Sequence, residues 1–182
     1  LANSDRLDFS VADARFQLLG SLASLPVGAR LVIYNTSLLN GSAPLAGMNI
    51  YGAASGGPSP PAGAHVVTPS GTAFAIAHDA TGDFITLTPG HQFALASPQK
   101  RMYVVTTALA YRCDTAARVI TRYRNYGIQT SQPVTAAQFT ALGATSGRVA
   151  SRVSACSFSY QTGAAQQSAL VTIHLTLEDA GE

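Results

Sequence analysis

The chain carries one lysine, Lys100, and two glutamates, Glu178 and Glu182, both within its last five positions. Those two residue types usually clothe the solvent side of a helix. Glycine, serine and threonine are abundant instead, which favours strands joined by loops. The clearest periodicity agrees. From Leu170 to Leu177, Val171, Ile173, Leu175 and Leu177 alternate with Leu170, Thr172, His174 and Thr176. A period of two predicts a strand with one face in a core and the other in water.

A chain of 182 residues has the size of one domain, or at most two small ones, and we expect a single domain over 1–182. It is 47% hydrophobic and 11% charged, against about 25% charged in a typical globular protein. That excludes a disordered, polyelectrolyte or coiled-coil chain. The longest apolar candidate, Tyr103 to Tyr111, contains two threonines and falls well short of the roughly 18 residues of a membrane span. Neither Met nor a signal peptide opens the sequence, so Leu1 is expected to begin a trimmed ectodomain or a processed product.

Along the chain, Leu7–Val11 and Arg30–Tyr34 are strand candidates, the second stronger for its β-branched and aromatic content. Residues 35–65 form a long Gly/Pro/Ser/Ala stretch that predicts a functional excursion or a flap. His65–Thr68, Ala73–His78 and Phe84–Thr88 are short strand-like runs. The last two flank Asp79 to Asp83, a hairpin loop with Gly82 at positive φ. Met102–Cys113 reads as the longest strand, with Tyr103, Val105, Thr107, Leu109, Tyr111 and Cys113 on a mostly apolar face. A four-residue link leads to Arg118–Tyr126, where Arg118, Arg122 and Arg124 share a face with Ile120. Residues 135–150 favour a short, glycine-interrupted helix or a loop. Val153–Tyr160 and the closing Leu170–Leu177 complete the strands.

Charge is distributed unevenly. Residues 100–152 hold Lys100, Arg101, Arg112, Arg118, Arg122, Arg124, Arg148 and Arg152 against Asp114 alone, while the rest has three arginines and eight carboxylates. Arginine grips carboxylate and phosphate in bidentate fashion. Three readings of this segment compete: a surface docking acidic neighbours through Arg112, Arg118, Arg122 and Arg124, a nucleic-acid groove, and a solvated strand face. The net charge of +2 and the few aromatics argue against a dedicated nucleic-acid binder.

Enzyme signatures are missing. There is no G-x-S-x-G, H-E-x-x-H, P-loop or G-x-G-x-x-G motif. The four histidines, at 65, 78, 91 and 174, have no second ligand-type residue at metal spacing, and Asp79 with Asp83 suits a turn better than calcium. We therefore expect no catalysis, metal or cofactor. Cys113 and Cys156 are the two cysteines, each on the apolar face of a predicted strand. A disulfide between them would imply an oxidising compartment; two buried thiols are the alternative.

The blocks HQFALASPQKRMYVVTTALAYRCDTAARVITRYRNYGIQ (91–129), VSACSFSYQ (153–161) and ALVTIHLTL (169–177) carry a family likeness. Tyr111-Arg112-Cys113-Asp114, Arg118–Tyr123, Val153–Tyr160 and Val171–Leu177 follow the successive strand patterns of that family. The sequence resembles the periplasmic domain of MshO-like minor pilins, which belong to the mannose-sensitive haemagglutinin (MSHA) pilus system. More distantly it is similar to PilW-type minor pilins and to the J-type pseudopilins of type II secretion. Members of the O type carry cysteines where Cys113 and Cys156 stand. The resemblance implies an α+β, predominantly antiparallel β, pilin-like domain. It also implies a missing N-terminal apolar helix that anchors the family in the inner membrane before assembly, and partners among other minor pilins and the major pilin. The prepilin leader and that helix are not found in these 182 residues, so no role is carried over from them. A tip-exposed adhesin, presenting the 35–65 loop and Tyr51 to a surface glycan, or a binder of DNA, is the alternative.

Overall fold

A computed structural model describes residues 5–36, 39–52, 63–161 and 170–178. The fold is predominantly antiparallel β, with one short α-helix among the described residues. The chain divides into two compact units, Leu1–Thr106 with Gly127–Gln132, and Thr107–Tyr126 with Pro133–Glu182.

In the first unit, strands β1 (Asp13–Leu18), β5 (Ala73–Asp79) and β6 (Gly82–His91) form a sheet in the order β1-β6-β5. β2 (Arg30–Val32) pairs with β7 (Tyr103–Val105), and β3 (Leu39–Asn40) with β4 (Ala43–Pro44). The β1–β6 register sets Phe16 against Ile85. Those two, with Leu31, Ile33, Leu87 and Phe93, make the core. On the opposite face the Arg15 guanidinium stacks 3.8 Å from the Phe84 ring centroid.

The β5–β6 hairpin is tighter than the sequence predicts. Asp79 pairs directly with Gly82, the Asp79 carboxylate accepts the Thr81 N–H at 2.7 Å, and Gly82 has φ +143°. Leu7–Val11, by contrast, is not a strand. The Asp8 carboxylate accepts the Ser10 N–H at 2.7 Å, and Asp13 accepts the Asp8 N–H at 2.9 Å. Such local side-chain bonds compete with a ladder. Leu7 and Phe9 tuck against the core instead, and the strand begins at Asp13. The 35–65 stretch contains the β3–β4 hairpin and a 3-10 turn at Ile50–Gly52; residues 53–62 lie outside the described residues. His65–Thr68 contributes only isolated bridges, from His65 to Phe93 and from Val67 to Val32.

Among the described residues of this unit Arg30, His65 and His91 are buried. Arg30 Nε donates to the Thr68 carbonyl at 2.7 Å and His91 Nε2 to the His65 carbonyl at 3.0 Å, while His65 Nδ1 has no hydrogen-bond partner among the described residues. Burial pulls both imidazoles below their ordinary value of 6.5, and the Arg30 charge adds to the shift. A histidine whose folded pKa is depressed contributes stability that is full above the unfolded pKa. That stability is lost as pH falls, because the unfolded chain takes up the proton first. Denaturant midpoints for this unit should thus be level above about pH 7 and decline as pH falls through about 6.5 and below, with His65→Gln shallowing the decline. A level profile across that range in the parent protein would refute the assignment.

The second unit opens with the largest correction to the sequence reading. Met102–Cys113 is not one strand: it breaks at 106–108 into β7 and β8 (Leu109–Asp114), which lie in different units. Thr107 Oγ1 accepts the Asn125 N–H at 3.0 Å and donates to the Ala108 carbonyl at 3.1 Å. A hydroxyl bonded this way replaces ladder pairing at the break. β8, β9 (Val119–Arg124) and β10 (Thr145–Ser151) form a sheet in the order β10-β9-β8. Between β9 and β10 runs α1 (Ala136–Ala141), whose Thr135 cap and Gln138 satisfy each other's backbone N–H groups in a capping box. Gly143, at φ +72°, lets the chain leave the helix. Residues 145–150, expected as helix or loop, are therefore a strand on the second edge of β9. β11 (Val153–Gln161) and β12 (Leu170–Leu177) form a separate two-stranded ribbon.

Candidate functional site

Cross-strand register decides which side chains of the second unit stand together. Leu109 pairs with Arg124, Tyr111 with Arg122 and Cys113 with Ile120, so these six share one face of the three-stranded sheet. The reverse face carries Ala110, Arg112 and Tyr123. There Phe139 of α1 stacks on Tyr123 with ring centroids 4.0 Å apart, and Tyr126 meets Phe139 edge-on at 5.2 Å. Ala108, Tyr123, Tyr126 and Phe139 form this unit's core cluster. The helix therefore seals one side of the sheet and leaves the Leu109–Tyr111–Arg122–Arg124 side exposed.

The four arginines expected to dock a partner are separated by this arrangement. Arg112 is on the helix side, donating to the Val134 carbonyl at 3.1 Å and to Asp114 at 2.8 Å. The Asp114 carboxyl is held below the usual carboxylate range, first by the Ala117 N–H and then by Arg112. Arg118 does not continue the face of Arg122 and Arg124. It sits in the turn before β9 at φ +56°, and its Nη2 pairs with Glu178 at 2.6 Å. Arg122 and Arg124 remain together on the exposed face, and no ion pair reaches either among the described residues.

Cys113 and Cys156 are joined in a disulfide, with Cα atoms 6.6 Å apart. It ties the arginine-bearing face of the sheet to the ribbon. Cys156 pairs with Leu175, Phe158 with Ile173 and Tyr160 with Val171, so the bridge leaves from the ribbon's apolar face. That face was expected to be buried and is not: Phe158 is 42% exposed, Ile173 48% and Leu175 45%. Thr172, on the side read as water-facing, is less exposed than either neighbour. A two-stranded ribbon is marginal alone in water, and contiguous apolar exposure of this kind marks an interaction surface. The sequence displays the alternation but holds no sign that the face lacks a covering layer.

The ensemble offers contact chemistry: branched and aromatic side chains from two sheets, with two guanidinium groups beside them. Its complement is an apolar surface bearing carboxylates. Among the described residues no three histidine, cysteine, aspartate or glutamate side chains converge as metal ligands. No described helix is long and apolar enough to cross a membrane. In the first unit Tyr51 is exposed. The chain matches no family model, no curated protein and no solved structure.

Proposed function

We propose that this chain is the globular part of a minor pilin or pseudopilin that helps initiate assembly of an MSHA-type type IV pilus. It acts by protein–protein packing at or near the filament tip. The observation that carries the reading is the exposed apolar face of the β11–β12 ribbon, bridged through Cys113–Cys156 to a sheet face bearing Arg122 and Arg124, which no ion pair reaches among the described residues. The antiparallel β architecture and the strand patterns at 91–129, 153–161 and 169–177 support it. A disulfide suits the periplasm and the cell exterior. On this reading the partners are sister minor pilins and the major pilin, the inner membrane is reached through the family's N-terminal helix, and no step is catalytic.

Arg122 and Arg124 can be reversed without disturbing the core, because both are exposed and the core cluster lies on the other face. Arg122→Glu with Arg124→Glu should weaken binding to a sister minor pilin by roughly two orders of magnitude at low salt, since two attractions become repulsions. Unchanged affinity in a calorimetric titration would remove the docking role of this face.

A further inference from the structure

Strand β2 of the first unit carries a cation into apolar surroundings. Arg30 is 7% exposed. It pairs across the ladder with Val105 and, by strand period, shares its side of β2 with Val32. Val32 and Val67 form a buried cluster against which Ile50 and Val105 pack, so the arginine stands beside an apolar wall. A guanidinium has five N–H donors. Nε uses one, on the Thr68 carbonyl at 2.7 Å. Nη1 and Nη2 make no hydrogen bond or ion pair among the described residues. Among those residues His65 Nδ1 is the buried side-chain nitrogen or oxygen left without a partner, so the two Nη groups are not sealed from solvent.

The carboxylates of this unit are engaged elsewhere. They are Asp5, Asp8, Asp13, Asp79 and Asp83, and the unit's residues outside the described set, 1–4, 37–38 and 53–62, contain none. Asp5 and Asp79 face Arg15, Asp83 pairs with His78, and Asp8 and Asp13 accept backbone N–H groups. Of the chain's other carboxylates, Asp114 and Glu178 pair with Arg112 and Arg118, and Asp179 and Glu182 belong with them to the second unit. Burial lowers the pKa of His65 and of His91, with the Arg30 charge adding to it, so above about pH 7 both imidazoles are neutral. Arg30 is then a lone buried charge. Such a charge is costly, and an apolar residue of similar volume would avoid the cost. Low-dielectric surroundings also strengthen its attraction for an anion, and its open N–H fork matches an oxyanion.

We propose that Arg30 binds the carboxylate of a small monocarboxylic acid through Nη1 and Nη2, with the acid's apolar tail against the partly exposed Val105 and Ile50. One guanidinium balances one negative charge, which favours a carboxylate over a phosphate dianion. The apolar wall favours a tail of methylenes over a polar one. The site stands independently of the pilus reading.

The test is NMR titration of the isotope-labelled protein with butyrate, acetate and inorganic phosphate, at about pH 7.5 and constant ionic strength, reading the Arg30 Nε–Hε resonance. The expected result is a saturable shift with butyrate. Acetate should bind several-fold more weakly, since fewer methylenes leave water, and phosphate more weakly than butyrate. Butyrate should also raise the melting temperature of the parent, and Arg30→Met, which removes the charge and keeps an apolar side chain, should abolish that rise. An Arg30 resonance that butyrate moves no more than those of the exposed Arg122 and Arg124 overturns the proposal. So does a preference for phosphate, or equal stabilisation of the parent and Arg30→Met. Should Arg30→Met fail to fold, the resonance titration of the parent decides alone.

Discussion

Replacing both Cys113 and Cys156 by serine should destabilise the second unit by about 4 kcal/mol, the largest effect expected of any surface-accessible change in this protein. The bridge closes a loop of 43 residues, and opening it returns that loop's conformational freedom to the unfolded chain. The native state has little to compensate. The ribbon and the three-stranded sheet are separate ladders, joined otherwise by such bonds as Val153 N–H to the Arg118 carbonyl and Glu178 N–H to the Arg152 carbonyl. For a unit of this size each kcal/mol moves the melting midpoint by roughly 4–8 °C, so the variant should melt on the order of 20 °C lower. Differential scanning calorimetry of oxidised and reduced protein measures it, and a shift of only a degree or two would show that the two sheets hold together without the bridge. The functional consequence runs the same way. Without the bridge the apolar ribbon is no longer fixed to the sheet that bears Arg122 and Arg124, and a partner must order both.

Phe139→Ala should cost about 3–5 kcal/mol. Phe139 is among the largest side chains that are almost wholly buried, and it is stacked on one tyrosine and edge-on to another. Ring pairs of this kind add about 0.5–1.5 kcal/mol beyond area burial. The helix that delivers Phe139 is six residues long, too short to persist without tertiary packing. Truncation should therefore release α1 as well as empty a cavity. Chemical denaturation monitored by tyrosine fluorescence would report the loss, and Phe139→Leu should fall between the parent and alanine. A loss below about 1 kcal/mol would mean that α1 is not the layer that seals this side of the sheet.

Much of the fold is legible in the residues. Period-two alternation locates β12 at Leu170–Leu177 and β11 to within a residue, and glycine chemistry locates the β5–β6 hairpin at Gly82. Local signals also mark elements that differ from the expected strands. Ala14, Phe16 and Leu18 alternate with Asp13, Arg15 and Gln17, the strand pattern of β1. Thr135 followed by Gln138 is a capping box, and Gly143 is a stop. Together they place the helix and free 145–151 to be a strand. The candidate site was less legible. Parity along β9 correctly puts Arg122 with Arg124 but wrongly adds Arg118, because a left-handed turn residue no longer obeys the strand period.

The sequence by itself determined that this chain is a set of short antiparallel strands, with its cysteines on apolar strand faces and its positive charge in one segment. Those properties follow from side-chain period, turn chemistry and composition, all of which are local. Only the tertiary structure decided that Met102–Cys113 is divided between two units, that Cys113 and Cys156 meet, that Arg112 and Arg118 are engaged in ion pairs while Arg122 and Arg124 stand together on the exposed face, and that the apolar face of β12 is exposed. Periodicity states which side chains share a face. What covers that face depends on ladder partners and packed layers far away in the chain, and alternation over eight residues carries no information about them.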